Sequence, residues 1–455
     1  MPEISTFAAT PSRPHVSTRK IVHISMLIFA FLLPYLTWQQ AAGCGLLALL
    51  FNVIILPRLG ADLRKAASGG AASSVMTGIV IYPISVLALI LFYRHDLQIV
   101  GATWAIMALG DGMAGVVGVA LQGPALPWSR EKTWAGFLAF VIAGASGAYV
   151  LTRWIAPSVD AAVALRICVA TALVGAIVES LPIRLDDNAT VPLVCGAFMF
   201  CLYFVERSAL DSNMPFLGRR ILLAMGISLL LALLAFGLRM VNGSGAAAGF
   251  ALGVAVYLGW GYKSFLMMFA FFVMGSIATR IGYERKVARG IAEKRGGARS
   301  WREGVANCLA GAFLSLLVIT THHEGAFLIA MITVFSESAG DTVASEIGQW
   351  LSGRAYLITT LQPVLAGENG GISLGGTAAG VLASALMATL AFNLGLCGRA
   401  GLVIALAAAI AGNLFDSVLG ATIERRGLVS NGIVNFAGTS FAGMLALAIA
   451  LHIGF

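Results

Sequence analysis

Long apolar runs separated by short polar or glycine-rich breaks dominate this chain. They cover approximately residues 21–38, 42–57, 76–93, 99–118, 134–152, 162–181, 190–205 and 221–240, then 245–258, 264–281, 304–320, 325–348, 373–396, 400–420 and 434–453. A helix needs roughly 20 apolar residues to cross a bilayer. The pattern therefore predicts an all-α fold, a polytopic transmembrane helical bundle of about 15 spans. Several runs are short and Gly is common, with 53 in the chain. Small residues let transmembrane helices pack closely, and broken spans can line a site.

Composition strengthens that reading. Of 455 residues, 59% are hydrophobic and 11% charged, whereas a soluble domain carries about 25% charged residues. This excludes a water-soluble globule, a disordered chain and a secreted disulfide scaffold. The six cysteines form no C-x-x-C pair, so they read as small hydrophobes in helices. The net charge of +8 fits cytosolic loops rich in Lys and Arg rather than a nucleic-acid partner. The polar start ends in Arg19-Lys20, and no small-residue cleavage site comes after it. The run from Ile21 is therefore expected to be the first permanent span. The basic stretch 282–303 is placed in the cytosol by the positive-inside rule.

The chain reads as two halves, 1–240 and 241–455, that look like distant copies. L-G-D-G-M-A-G-V-V-G (109–118) parallels A-G-D-T-V-A-S-E-I-G (339–348), and V-G-A-I-V-E-S-L (174–181) parallels A-G-N-L-F-D-S-V (411–418). The order is the same and the separations are similar, although Gly/Ala bias in membrane helices inflates such matches.

The acidic residues change the picture most. Asp111, Glu179, Glu337, Asp341, Glu346 and Asp416 lie within or at the ends of apolar segments. Each costs roughly 2.5–3.5 kcal/mol at a helix centre unless it faces a polar cavity, a partner or a metal. The expected topology puts all six toward the cytosolic side. The polar loops 126–136, 181–193 and 366–377 fall on the same side. Carboxylates bind Mg²⁺ together with substrate phosphates, Lys and Arg neutralise phosphate oxygens, and Gly-rich turns let backbone N–H groups approach an anion. That combination suits phosphoryl or nucleotidyl transfer between a cytosolic nucleotide and a membrane lipid. No P-loop or protein-kinase motif is present. His322-His323-Glu324 reads as a solvated turn, and His23 shares a helical face with Arg19 and Lys20 as a phosphate-binding candidate.

At these residues the first half resembles the phytol kinase and dolichol kinase group of polyprenol kinases. The resemblance rests on R-K-I-V-H (19–23), G-I-V-I-Y-P (78–83), L-G-D-G-M-A-G-V-V-G (109–118), L-P-W-S-R-E-K-T-W-A-G (126–136) and E-S-L-P-I-R-L-D-D-N-A-T-V-P-L (179–193). It implies phosphorylation of an isoprenoid alcohol, typically with CTP. Gly115 departs from the G-D-G-x-A-D pattern of phytol kinases, which carries an acid there. The second half resembles the membrane family that includes the phytyl-phosphate kinases. The matching pieces are G-I-A-E-K-R-G-G-A-R (290–299), V-A-N-C-L-A-G (305–311), E-S-A-G-D-T-V-A-S-E-I-G (337–348), G-G-I-S-L-G-G-T (370–377) and A-G-N-L-F-D-S-V-L-G-A-T (411–422). It implies a second phosphorylation, of an isoprenyl monophosphate.

Together these expectations describe a fused, two-step prenyl-alcohol salvage enzyme, with Mg²⁺ as cofactor and CTP or another NTP as donor. In the first half Asp111, Glu179 and Asp186 or Asp187 hold metal or activate the hydroxyl. Arg130 and Lys132 contact nucleotide phosphates, with Asn188 beside them. In the second half Asp341, Glu346 and Asp416 take the metal, with Glu337 as a further candidate. Asn307, Asn369, Gly370, Gly371, Ser373 and Asn435 lie near bound phosphates, and Arg295, Arg299 and Arg302 bind the prenyl monophosphate. The expected location is a bacterial inner membrane with both sites facing the cytosol. Two rivals use the same features: a CTP-dependent cytidylyltransferase making a CDP-lipid, and a transporter or flippase.

Overall fold

A computed structural model describes residues 23–56, 58, 74–291, 298–351 and 353–455. Arg19, Lys20 and Arg295 lie outside the described residues. The protein is an all-α polytopic membrane protein. Among the described residues eleven helices are long and apolar enough to cross a membrane, and three more apolar helices are shorter. Among the described residues all fifteen apolar runs of the sequence fall on helical segments.

The chain divides into two compact units, one up to Tyr203 and one from Phe204. The sequence places the junction at 240/241. The difference is one helix, Arg207–Gly237, whose Ala224 is buried with Tyr257 and Phe265 in a small core of the second unit.

The first unit opens with a 3₁₀ segment Met26–Tyr35, then α1 (Trp38–Leu50) and α2 (Ser74–Phe92). Helix α3 (Leu97–Ala105) runs through a π-turn (Ile106–Gly110) into α4 (Asp111–Leu121). Next comes a hairpin of β1 (Ala125–Leu126) and β2 (Ser129–Thr133). Helices α5 (Trp134–Ile155), α6 (Ala161–Ser180) and α7 (Asp187–Leu202) complete the unit. Glycine sets the spacing of α4 against α5. A Cβ on Gly136 would stand 2.9 Å from the carbonyl oxygen of Ala114 and 3.5 Å from Cα of Gly118. Only small residues allow such an approach.

The second unit starts with α8 (Arg207–Gly237), α9 (Gly243–Trp260), α10 (Tyr262–Arg280) and the short α11 (Tyr283–Ala288). Helix α12 (Trp301–Val318) begins with a capping box in which Glu303 accepts from the Ser300 amide at 2.7 Å. The centre of the unit is α13 (Glu324–Leu351), buried on every side from Ala326 to Gly340. After it comes a three-stranded sheet of β3 (Arg354–Leu357), β4 (Pro363–Leu365) and β5 (Gly371–Ile372), with β3 in the middle. The unit ends with α14 (Leu374–Asn393), α15 (Arg399–Leu419, extended by a π-turn to Glu424) and α16 (Asn431–His452).

From α3 onward the first unit repeats the element order found from α13 onward in the second: helix, small sheet, three helices. The close contacts repeat as well. A Cβ on Gly376 would stand 3.0 Å from Cα of Gly348 and 3.0 Å from Oγ of the helix cap Ser373. Gly136 meets Gly118 and the cap Thr133 in the same way. Asp111, Gly118, Thr133, Gly136 and Glu179 thus correspond to Asp341, Gly348, Ser373, Gly376 and Asp416.

Candidate active sites

In the first unit three carboxylates meet. Asp111, Glu179 and Asp187 each offer an oxygen, all within 4.8 Å of one another. Three local features bring them together. The π-turn Ile106–Gly110 shifts the helix phase immediately before Asp111, and such bulges recur at functional sites. Glu179 is the penultimate residue of α6, where only 5% of it is exposed. Asp186 caps α7 by accepting from the Asn188 amide at 3.0 Å, which leaves Asp187 as the first helical residue beside the other two. The sequence left Asp186 and Asp187 as alternatives, and the structure brings Asp187 into the group.

Lys132, on β2, forms an ion pair with Glu179. Partial burial pulls its ammonium downward, but the charges of Glu179, Asp187 and Asp111 outweigh this and hold it above the ordinary lysine value. Trp128 donates from Nε1 to Ser180 Oγ at 3.0 Å and packs edge-on against Trp134 and Phe137, walling the hairpin side. Arg130 is exposed on the same strand, and Asn188 is buried. His23 Nε2 lies 3.3 Å from the carbonyl oxygen of Met107, and its ring stands edge-on to Tyr82. Three hard oxygen donors within this distance fit a divalent cation such as Mg²⁺.

The second unit gathers its carboxylates differently. Glu337 and Asp341 are four residues apart on one face of α13. Asp341 is close enough to Glu337, Asp416 and Glu424 for their charges to interact. Glu337 Oε1 and Asp416 Oδ2 lie 2.9 and 3.1 Å from the point where a Cβ on Gly438 would stand. Both carboxylate oxygens of Glu337 and one of Asp416 are buried without a hydrogen-bond partner, as are the amide oxygens of Asn413 and Asn435. Asn435 donates to Asn307 at 3.4 Å, which links α16 to α12.

The remaining candidates have the following neighbours. Glu346 forms a buried ion pair with Lys286, which also donates to the carbonyl oxygen of Thr279 at 2.9 Å. Arg299 stacks on Phe271 at 5.5 Å, and Arg302 stacks on Trp301 at 5.7 Å. Asn369 is exposed. Gly370, at φ +73°, lets its loop touch the π-turn after α15, its amide nitrogen 2.9 Å from a Cβ built on Gly420. Gly371 pairs with Leu357 in the sheet, and Ser373 Oγ caps α14 by accepting from the Gly376 amide at 3.2 Å. His322 lies exposed, 2.9 Å from Ser208 Oγ.

The sequence reading missed Asn413, Lys286 and the pairing of Lys132 with Glu179. Asn413 had a signal, since it precedes Asp416 by three residues on one helical face.

The family described as integral membrane protein DUF92 matches residues 226–444. An uncharacterized membrane protein of Synechocystis is 36% identical over 49% of this chain and 88% of its own length. Protein VTE6, chloroplastic, of Arabidopsis thaliana is 34% identical over 46% of this chain and 64% of its length. Phytol kinase 1, chloroplastic, from the same plant is 26% identical over 39% and 63%. The chain thus spans under two thirds of the last two relatives. No solved structure matches the chain significantly. The chain is thus similar to an integral membrane family and, more distantly, to a plant phytol kinase.

Proposed function

The chain belongs to the DUF92 integral membrane family, and from that premise we propose that it phosphorylates isoprenoid alcohols of the phytol, farnesol or geranylgeraniol type. In this reading the first unit makes the monophosphate and the second makes the diphosphate, with CTP or another NTP as donor. The observation that carries it is the convergence of Asp111, Glu179 and Asp187 beside Lys132.

A divalent cation held by Asp111 and Glu179, with Asp187 beside it, would neutralise the phosphate oxygens of the nucleotide. Lys132 and Arg130 bind the same phosphates, and Lys132 exchanges its carboxylate partner for a phosphate oxygen when nucleotide arrives. Asp187 accepts the proton of the lipid hydroxyl. The hydroxyl oxygen bonds to the γ-phosphorus, the bond to the β-phosphate oxygen breaks, and the nucleoside diphosphate leaves. Such transfer rests on positioning and charge neutralisation, so no covalent nucleophile is needed. In the second unit Asp341 and Asp416 take the corresponding places, with Asn307 at the phosphates. Fusion keeps the monophosphate in one membrane patch and raises its effective concentration. Both sites are assigned to the cytosolic side of a bacterial inner membrane, where the basic loops belong by the positive-inside rule.

The test is purified protein with prenyl alcohols and CTP labelled at either the γ or the α phosphate. Label from the γ position should appear in the lipid. Label from the α position would instead identify a cytidylyltransferase, and an unmodified lipid would end the kinase reading.

A further inference from the structure

The two units balance their buried acidic charge in different ways. In the first, Lys132 supplies an internal ammonium at Glu179. Lys132 directly precedes the helix cap Thr133, and the corresponding residue before the cap Ser373 is Ile372. The second unit therefore keeps the carboxylate at Asp416 and lacks the lysine. It also adds a carboxylate: Glu337 stands one turn before Asp341, where the π-turn of the first unit has only the apolar Ile106 and Met107 before Asp111. Among the described residues the ion pairs of the second unit join Lys286 to Glu346, Arg425 to Glu368, Arg207 to Asp211 and His322 to Glu206. None reaches Glu337, Asp341 or Asp416.

The unpartnered atoms around this charge are all acceptors. Glu337 is 1% exposed, with neither carboxylate oxygen bonded. Asp416 Oδ2 and the amide oxygens of Asn413 and Asn435 are also buried and unbonded. Asn413 and Asp416 share a face of α15, and Asn435 and Gly438 share a face of α16. The glycine leaves open the space against which Glu337 Oε1 and Asp416 Oδ2 both lie. A buried polar group without a partner is strongly unfavourable, and a buried charge more so. Anionic and amide oxygens with no competing donor are the ligand chemistry of a hard divalent cation.

We propose that the second unit holds a resident divalent cation of the Mg²⁺ class between Glu337 and Asp416, with the amide oxygens of Asn413 and Asn435 turned to it. It binds before nucleotide and independently of it. It does the electrostatic work that Lys132 does in the first unit. This deepens the reading of the second unit as a phosphate-transfer site, but it rests only on the unpartnered oxygens and the missing lysine.

The experiment titrates Mn²⁺ into the purified full-length protein without nucleotide and tracks loss of the free-Mn²⁺ electron spin resonance signal. A tight site that Mg²⁺ displaces is expected. Glu337→Gln and Asp416→Asn should each weaken it by roughly tenfold or more, the factor that corresponds to losing one charged ligand worth about 1.4 kcal/mol. Asp111→Asn should leave it in place. Gly438→Ala keeps every carboxylate but puts a methyl group in the open space, so it should weaken binding as well. Ile372→Lys should also weaken it, by restoring an internal ammonium. Absence of a nucleotide-free site would overturn the proposal, as would a site that Asp111→Asn removes and Glu337→Gln spares. Should Glu337→Gln fail to fold, unchanged Mn²⁺ binding in both Gly438→Ala and Ile372→Lys overturns it equally. Phosphorylation of a prenyl monophosphate is measured separately, so failure of that activity with Mn²⁺ binding intact removes only the second transfer.

Discussion

Replacing Lys286 by Met tests whether Glu346 serves the structure rather than a metal. Lys286 and Glu346 have side chains 1% and 9% exposed, and they pair directly. The ammonium also donates to the carbonyl oxygens of Thr279 at 2.9 Å and Ala278 at 3.4 Å, near the end of α10. All three N–H groups are therefore used. Lys286→Met leaves the Glu346 carboxylate buried and uncompensated, a loss of about 3–5 kcal/mol for a buried pair broken on one side. At roughly 2–4 °C per kcal/mol for a unit of this size, the melting temperature should fall by about 6–20 °C. Lys286→Met combined with Glu346→Leu should recover most of that loss, because an apolar pair of similar volume replaces a buried ion pair at little cost. The assay is thermal exposure of Cys308, a buried thiol on α12, to a fluorogenic maleimide, with the other cysteines removed. A shift of under about 2 °C for the single variant would refute the reasoning, given the 3–5 kcal/mol expected. A double variant no more stable than the single one would refute it too.

The same geometry sets three further outcomes. Asp187→Asn should abolish alcohol phosphorylation with folding intact, whereas Asp186→Ala should lose only its helix cap, about 0.5–2 kcal/mol; activity and melting measured side by side separate the two. Gly380→Leu should destabilise the second unit by about 1–3 kcal/mol or more, because even a Cβ there would stand 2.7 Å from the carbonyl oxygen of Gly340; a thiol-exposure melt reads it. Glu368→Gln removes a half-exposed pair with Arg425 and should change stability by no more than about 1 kcal/mol; a large drop in the same melt would contradict that.

Much of the architecture was legible in the chain because lipid imposes a simple rule: an apolar run must become a helix. The fifteen runs obey it. The small sheets were not visible, since L-P-W-S-R-E-K-T and the stretch around Arg354–Ile372 carry no long alternation and read as polar loops. Candidate carboxylates were recognisable by their cost in an apolar setting, but their grouping depended on helix phase. Glu346 lies five residues beyond Asp341, about 140° around the helix at 3.6 residues per turn, which turns it toward Lys286. Asp186 and Asp187 are chemically alike in sequence, and only the cap of α7 distinguishes them. Lys286 sits in a basic stretch where solvation is the natural expectation, and nothing local announces its burial. The glycine-rich break at 242–245 marks a boundary in the sequence, and the compact second unit also takes in α8, which shares a buried core with α9 and α10.

The measurement closest to the central claim separates the two transfers in one purified protein. Asp111→Asn and Asp341→Asn variants are each given γ-labelled CTP with a prenyl alcohol and, separately, with a prenyl monophosphate. The first variant should lose phosphorylation of the alcohol and retain that of the monophosphate, and the second should show the reverse. Loss of both transfers in either properly folded variant would contradict the assignment of one transfer to each unit.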